Sequence, residues 1–354
     1  MRVLMLVQQI EESHWLRGFI VRWVREMAAQ VEQVQVITLE LGNANLPSNV
    51  TVQTMGKERG YNHLREVIAF YRALARVIRD VDVIFSHMTP RYTWLAAPLA
   101  LIFRKPQVLW YTHPQIHWEL KLATALSRRV VTASETSFPL KTPKLRVLGH
   151  GIDTNFFSPP ERRGGLIGRP NAQSCILLVG RLTRIKNHTA LLRALPQLEA
   201  QAVFIGGTAG EADTAYVEEL KALATELGVA DRLTFTGALS AQEVRDWYRQ
   251  AAVAVNLTPS GSFDKVVLES MATCTPTLVA HNGFDDLLGD SAPRFRIDSP
   301  DDLEGLIVRL NDLLRLSPEE RLSLMTPIRQ RVVAAHSLQQ LITQLVQVFS
   351  ELRH

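Results

Sequence analysis

Short apolar runs alternate with stretches of helical spacing along most of this chain. Val3–Val7 is apolar without a polar partner position and predicts a strand buried on both faces. Trp15–Gln30 follows, with Phe19, Ile20, Trp23, Val24 and Met27 spaced to line one side of a helix. Val34–Thr38 predicts a second strand and Leu64–Arg79 an amphipathic helix. Val81–Phe85, Val108–Tyr111, Arg129–Thr132 and Leu145–Leu148 predict further strands. Strands alternating with helices imply an α/β fold with a parallel, doubly wound sheet.

The alternation stops at Ser158-Pro159-Pro160-Glu161-Arg162-Arg163-Gly164-Gly165 and Gly168-Arg169-Pro170, a stretch dense in Pro, Gly and charge that reads as a linker. It then restarts. Strands are expected at 174–179, 202–205, 233–235, 252–256 and 277–280, with helices at 188–195, 215–227, 241–250 and 265–272. Leu303–Leu352 reads as helices broken at Ser317-Pro318 and Thr326-Pro327. The expected domains are therefore 1–158 and 171–335, with a last helix at 336–354 returning to the first domain. A length of 354 residues suits two domains.

Composition narrows the class. Two cysteines, Cys175 and Cys274, give neither a disulfide framework nor a cysteine zinc site, so a reducing compartment is expected. The apolar run Thr93–Phe103 is shorter than the roughly 20 residues of a membrane span. Met1–Val7 is too short for a signal-peptide core. A cytoplasmic protein, soluble or peripheral on the inner membrane face, is expected. Charge is uneven: residues 1–150 hold 19 Lys and Arg against 11 Asp and Glu, whereas the remainder holds 20 against 24. A basic half suggests an anionic partner on that side.

Two stretches carry chemistry. In Leu177–His188 an apolar strand ends at Gly180, followed by Arg181, with Lys186 just before a helix. Ligands of open α/β sheets bind beyond the carboxyl ends of strands. A guanidinium fork plus a mobile ammonium suits a diphosphate there; an exposed basic loop is the plainer alternative. In Pro259–Ala272 a Gly/Ser loop leads into a helix carrying Glu269. Amides at such a helix start can hold phosphate, and a carboxylate can accept from ribose hydroxyls; simple helix capping is the alternative.

Together these stretches resemble the retaining GT-B glycosyltransferases, family 4 in particular. Gly180-Arg181-Leu182 with Lys186-Asn187, Phe204-Ile205-Gly206-Gly207, Leu227-Gly228-Val229 with Asp231–Gly237, and Leu268–Ala272 with Thr275-Pro276 follow the family's motifs in order. Gly149–Phe157 is similar to its segment before the second domain. The resemblance implies two Rossmann-like domains facing each other across a cleft, with C-terminal helices crossing back. It implies a nucleotide-sugar donor of UDP or GDP type and no metal or other cofactor. Arg181 and Lys186 would neutralise the departing diphosphate and Glu269 would bind the ribose. Gly237 and Ala238 would lie along the base, and amides of Val267 and Leu268 would touch phosphate.

One departure stands out. The family carries an acidic residue eight positions before its second glutamate, and here that position is Gly261. Asp264 and Lys265, or amides of this loop, are expected to take over the sugar contact, with a helix-capping role for Asp264 as the alternative. Cys274 stands where small residues are usual and reads as a buried structural thiol.

The first half matches less well. Where many members have a Gly-Gly loop, this chain has Gln8–Phe19, with Gly18 alone to bring backbone close. Trp15, Arg17 and Gly18 are assigned to the acceptor side. His113, after the strand at Trp110-Tyr111, resembles the family's histidine near the reacting sugar; His87 and His117 are its rivals. Arg17, Arg22, Arg25, Arg65, Arg72, Arg76 and Arg79, interleaved with Trp15, Phe19, Trp23, Ile68 and Phe70, suggest an anionic membrane surface and a glycan or lipid-linked acceptor; a solvated charged face is the plainer alternative. Nucleic acid is not expected, because no aromatic–basic platform accompanies the charge. The implied activity is a retaining, hexosyltransferase-type transfer in cell-envelope glycan assembly. A non-catalytic sugar-nucleotide-binding subunit and a sugar-nucleotide epimerase are the alternatives.

Overall fold

The computed structural model describes residues 1–15, 17–113, 115–160, 175–208, 210–259 and 263–353. Most of the expected linker and Gly261 lie outside the described residues.

The chain forms two compact units, Met1–Gly151 with Ser337–His354, and Ile152–His336. The change of unit at Gly151/Ile152 precedes the Pro/Gly stretch. Residues 152–158 belong to the second unit, where Arg329 donates to the carbonyls of Thr154 and Phe157, and Arg249 to that of Ser158.

The first unit holds β1 (Arg2–Ile10), β2 (Gln33–Leu41), β3 (Val50–Thr54), β4 (Val83–His87), β5 (Gln107–Trp110), β6 (Arg129–Thr132) and β7 (Leu145–Val147). They form one parallel sheet in the order β3-β2-β1-β4-β5-β6-β7. Its helices are α1 (Phe19–Gln30), α2 (His63–Val77), α3 (Pro90–Ile102), α4 (Trp118–Leu126) and α13 (Leu338–Ser350). Side chains alternate across a strand. Val3, Met5 and Val7 accordingly meet α1 and α13 on one face, while Leu4 and Leu6 meet α2 and α3 on the other. Covering both faces explains the unbroken apolar run of β1.

The second unit holds β8 (Cys175–Val179), β9 (Gln201–Ile205), β10 (Leu233–Gly237), β11 (Val253–Asn256) and β12 (Thr277–Val279), parallel in the order β10-β9-β8-β11-β12. Its helices are α5 (His188–Ala194), α6 (Glu211–Glu226), α7 (Ala241–Gln250), α8 (Lys265–Ala272), the short α9 (Asp285–Leu288) and α10 (Ala292–Phe295), α11 (Leu303–Leu314) and α12 (Pro318–His336). Each sheet reverses its winding once, between β1 and β4 and between β8 and β11. Such switch points are where open α/β sheets bind ligands.

The structure amends several expectations. α1 starts at Phe19 rather than Trp15, because Glu12, Ser13, Trp15, Arg17 and Gly18 lie in turns before it. The run at Thr93–Phe103 lies largely in α3, and α3, α4 and β3 are elements the periodicity did not announce. α12 runs through Pro327 without a break. Buried Met325, Ile328 and Val332 anchor it on both sides of the proline, and that burial offsets the missing backbone donor.

Cys274 has a positive φ of 58° two residues past the end of α8, the position after a helix that favours glycine. It is partly rather than fully buried, and burial pushes its thiol pKa up.

Candidate functional site

At the β8–β11 switch point the sequence brings four polar side chains onto one spot. Gly180 follows β8 with φ 152°, and the loop after it carries Arg181 outward and Lys186 back over the glycine. The Lys186 ammonium donates to Asp264 Oδ2 at 2.5 Å and to Thr258 Oγ1 at 3.3 Å. Asn256 Nδ2 and Thr258 Oγ1 also donate to Asp264 Oδ2, at 2.8 and 2.9 Å. Asn256 and Thr258 stand at the carboxyl end of β11 and are buried, so the carboxylate is fixed from the strand side.

Burial pushes the Asp264 carboxyl up, but the Lys186 charge and the hydrogen bonds from Lys186, Asn256 and Thr258 outweigh it and hold the pKa below the usual value. Asp264 precedes α8 without a side-chain capping bond, so its carboxylate serves Lys186 and not the helix. Arg181 is exposed, and among the described residues its guanidinium has no ion-pair or hydrogen-bond partner. The arrangement is therefore one internally balanced cation beside one uncompensated cation.

A glycine makes this loop possible. Gly206, with φ 159°, follows β9, and a Cβ there would lie 1.8 Å from the Gly180 carbonyl oxygen. That turn holds the Arg181 loop through Gly180 N–H on the Ile205 carbonyl at 2.9 Å and Leu182 N–H on the Gly207 carbonyl at 3.1 Å. Asn256, Thr258 and Gly206 were not singled out as site residues from the sequence. Polar residues closing the apolar run Val253–Val255 were the available signal for the first two.

The other assigned residues of this unit spread along the same strand ends. Glu269 on α8 is buried, 3.7 Å from Lys265 one turn earlier. Gly237 ends β10 with φ 70° and open space beside it; Ala238 next to it is exposed. Val267 and Leu268 are core side chains. The Val267 amide donates to the Asp264 carbonyl at 3.2 Å, so it is committed to the helix start rather than open to a ligand oxygen. α5 spans only seven residues, and its first residue, His188, is core: it packs on Phe204 and Tyr216, and burial lowers its pKa to about 3. A cavity of about 440 Å³ opens on the same sheet edge, lined in part by Pro259, His281, Arg296 and Pro300. Asn187 Nδ2 donates to the Pro300 carbonyl and so ties that wall to the Lys186 loop.

In the first unit the carboxylates that follow β1 are taken up by neighbouring elements. Glu11 binds Ser13 and the Asn43 amide, and Glu12 pairs with Arg25 through two bonds of 2.7 Å. Gly18 is required for this packing, since a Cβ would lie 2.5 Å from the Glu12 carbonyl oxygen. Arg17 rests on Gln9 at 3.4 Å, and Trp15 stacks on His14.

The histidines separate. His87 is buried among Phe85, Trp23 and Trp110, and burial lowers its pKa to about 3. His117 caps α4 by accepting from the Leu120 amide. His113 is exposed beyond β5 and accepts from the Gln115 amide. Trp23 and Phe70, read as apolar residues between surface arginines, are core side chains. Among the described residues no group of three or more His, Cys, Asp or Glu is placed to hold a metal ion, and no helix is long and apolar enough to cross a membrane.

Residues 173–315 match the family model described as "Glycosyl transferases group 1". The D-inositol 3-phosphate glycosyltransferase of Mycolicibacterium smegmatis is 32% identical over 142 residues, covering 40% of this chain and 33% of that protein. The protein of the same name from Nocardiopsis dassonvillei is 36% identical over 154 residues, covering 40% and 35%. The match thus spans about a third of the length of these curated relatives.

Solved structures resemble the whole chain. Anabaena Alr3699/HepE in complex with UDP has a TM-score of 0.73 at 18% identity, with 99% of this chain and 100% of that one covered. Sucrose-phosphate synthase from Thermosynechococcus elongatus has a TM-score of 0.77 at 19% identity, with 99% of each covered. Residues 173–315, all within the second unit, are thus similar in sequence to the group 1 glycosyltransferases, and the two Rossmann-like units share the GT-B fold of the solved structures.

Proposed function

We propose that the protein is a retaining, hexosyltransferase-type glycosyltransferase of family 4. In this reading it moves a sugar from a UDP- or GDP-type nucleotide-sugar to a glycan or lipid-linked acceptor of the cell envelope, at the cytoplasmic face of a membrane. The observation that carries the reading is the cation pair at the β8–β11 switch point, Lys186 fixed by Asp264 and Arg181 free. Similarity of residues 173–315 to group 1 glycosyltransferases supports it, as does a structural neighbour described in complex with UDP-glucose.

In the proposed reaction the bond from the anomeric carbon to the diphosphate breaks and negative charge builds on the leaving phosphate. Cations already in place where charge develops lower the barrier without reorganising. Arg181 supplies the net charge. Lys186 supplies a second donor whose position Asp264 holds, so Asp264 acts through the lysine and not on the sugar. Two cations suffice for the diphosphate, and the reading requires no metal. The acceptor approaches the face the diphosphate leaves and its proton passes to that phosphate, so no strong protein base is needed. Glu269 takes the ribose, Gly237 and Ala238 the base, and His113 the primary hydroxyl of the sugar. Trp15 and Arg17 belong to the acceptor side.

The test is incubation with UDP-, GDP- and ADP-sugars and extract-derived acceptors. Transfer or donor hydrolysis by the parent chain, lost in Arg181→Ala, is the expected result. No turnover with any donor, together with no effect of Arg181→Ala on nucleotide binding, would overturn the proposal. Tight nucleotide binding without transfer would favour a non-catalytic sugar-nucleotide-binding subunit.

A further inference from the structure

One face of the first sheet has an outer layer that is apolar where a solvated layer is polar. α3 is apolar on both sides. Tyr92, Leu95 and Ala96 enter the core with Leu4 and Leu6, yet Leu101 and Ile102 are each 70% exposed. α4 repeats the pattern, with Leu120 and Ala123 inside and Trp118, 63% exposed, outside with Leu122. The rings of Trp94 and Trp118 lie 5.7 Å apart and join the outer stripes of the two helices. α2 touches α3 and adds exposed Leu64 and Ile68. Of the thirteen large apolar side chains exposed among the described residues, seven lie on α2, α3, α4 or the segment just before α4. Scattered exposed apolar residues need no explanation, but a clustered set marks an interaction surface. A helix apolar all round belongs in a core or against hydrocarbon.

The charge on this layer selects the partner. α2, α3 and α4 carry five Arg and Lys, namely Arg65, Arg72, Arg76, Arg91 and Lys121, against Glu66 and Glu119. Arg104 follows α3 in a left-handed conformation, φ 52°, at a position that favours glycine. Exposed Trp and Leu beside a surplus of Arg and Lys is the composition of a surface that lies in an anionic lipid interface. The opposite face of the sheet lacks this combination. Its α1 and α13 spend Trp23, Val24, Leu345 and Phe349 on the core, and Arg25 is tied to Glu12.

We propose that the α3–α4 layer, flanked by α2, docks the chain on an anionic bilayer. Trp118, Leu101 and Ile102 enter the boundary between headgroups and acyl chains. Arg104, Lys121 and the α2 arginines meet the lipid phosphates. The proposal deepens the membrane-facing part of the reading above and moves the contact from α1 to α3 and α4.

The test is flotation of the full chain with phosphatidylcholine vesicles, with and without phosphatidylglycerol. Binding is expected only with phosphatidylglycerol and should weaken as salt rises. Arg104→Gln with Lys121→Gln should lower partitioning about 30-fold, since each basic residue near such a surface contributes roughly fivefold. Trp118→Ser with Ile102→Ser should lower it about tenfold or more, and an unchanged melting curve shows that this variant folds; Lys121→Gln alone serves if it does not. Equal binding to both vesicles, or anionic binding that none of these variants changes, overturns the proposal. So does a dimer in sedimentation velocity that Trp118→Ser with Ile102→Ser converts to monomer with no vesicle binding, because the face then joins two copies of the chain. Failure of the glycosyltransferase reading would show in donor turnover, which flotation does not measure.

Discussion

The two sheets share a winding but not a chemistry. In the first unit the loop after β1 spends Glu12 on Arg25 of α1 and Glu11 on the Asn43 amide beyond β2, and His87 at the end of β4 is kept neutral in an aromatic cage. In the second unit the equivalent place, between β8 and β11, holds a lysine clamped by a carboxylate and an arginine with no partner among the described residues. The same topology therefore gives a place for a ligand twice, and the residues at the strand ends decide what each place can do. Polar strand-end residues gather a clamped lysine and an exposed arginine at the second, while at the first the loop carboxylates are taken up by Arg25, Ser13 and the Asn43 amide, and Arg17 rests on the neutral Gln9.

The comparison can be broken most severely at Arg181. Arg181→Ala should lower the rate of transfer by about 10²–10³-fold with little change in melting temperature, as removal of one preorganised donor does. Steady-state kinetics with the donor that the screen identifies provides the check. Gly206→Ala tests the scaffold beneath the same loop. Its Cβ would meet the Gly180 carbonyl, so a loss of stability on the order of 3 kcal/mol is expected in denaturant unfolding. Gly237→Ala, where the space is open, should cost less and only through its positive φ.

Acid separates what the units share from what they do not. Each carries a buried histidine, His87 or His188, whose pKa falls to about 3 from an ordinary 6.5. Between those values the unfolded chain binds more protons than the folded one, so stability rises with pH across the window and is full above about 6.5. Thermal unfolding followed from pH 7 to 4 should show a falling melting temperature, flattened by His87→Phe or His188→Phe. Asp264 has its pKa lowered, so its contribution is present above the ordinary carboxylate value and is lost only as pH falls through the lowered one. The Lys186 clamp should accordingly outlast the histidine-driven loss.

The smallest effect sharpens the account of Asp264. Asp264→Ala should reduce kcat by about tenfold by freeing the Lys186 ammonium, roughly the worth of one hydrogen bond to a charged group. Asp264→Asn should recover part of that loss, because an amide oxygen still accepts from Lys186. A raised KM for the donor with kcat unchanged would instead mean that Asp264 contacts the sugar.

Much of this was readable in the chain. Buried parallel strands announce themselves as unbroken apolar runs, as in Val3–Val7 and Leu177–Val179, and the Arg181–Lys186 spacing placed both cations beyond a strand end. What was hidden depends on contacts distant in sequence. Lys186 and Asp264 are separated by 78 positions, and no local pattern shows that one clamps the other. The spacing of Trp23 already puts it on the apolar side of a helix, yet Trp23 and Phe70 also group with the surrounding arginines as a membrane-facing set, and the sheet beneath shows that both face inward. α3 was missed because a helix apolar on both sides has no periodicity to detect. Pro327 looked like a break because proline usually is one, and here packing on both sides of it prevails.

The central claim is that the β8–β11 switch point holds the diphosphate of a nucleotide-sugar through Arg181 and Lys186. Calorimetric titration of the full chain with UDP, GDP and ADP, and with the corresponding nucleosides, tests it directly. One diphosphate should bind well above its nucleoside, and Arg181→Ala with Lys186→Ala should weaken the diphosphate by about 100-fold or more while leaving the nucleoside unchanged, as loss of two charge-assisted contacts requires. Diphosphate binding that survives the double substitution intact would contradict the account.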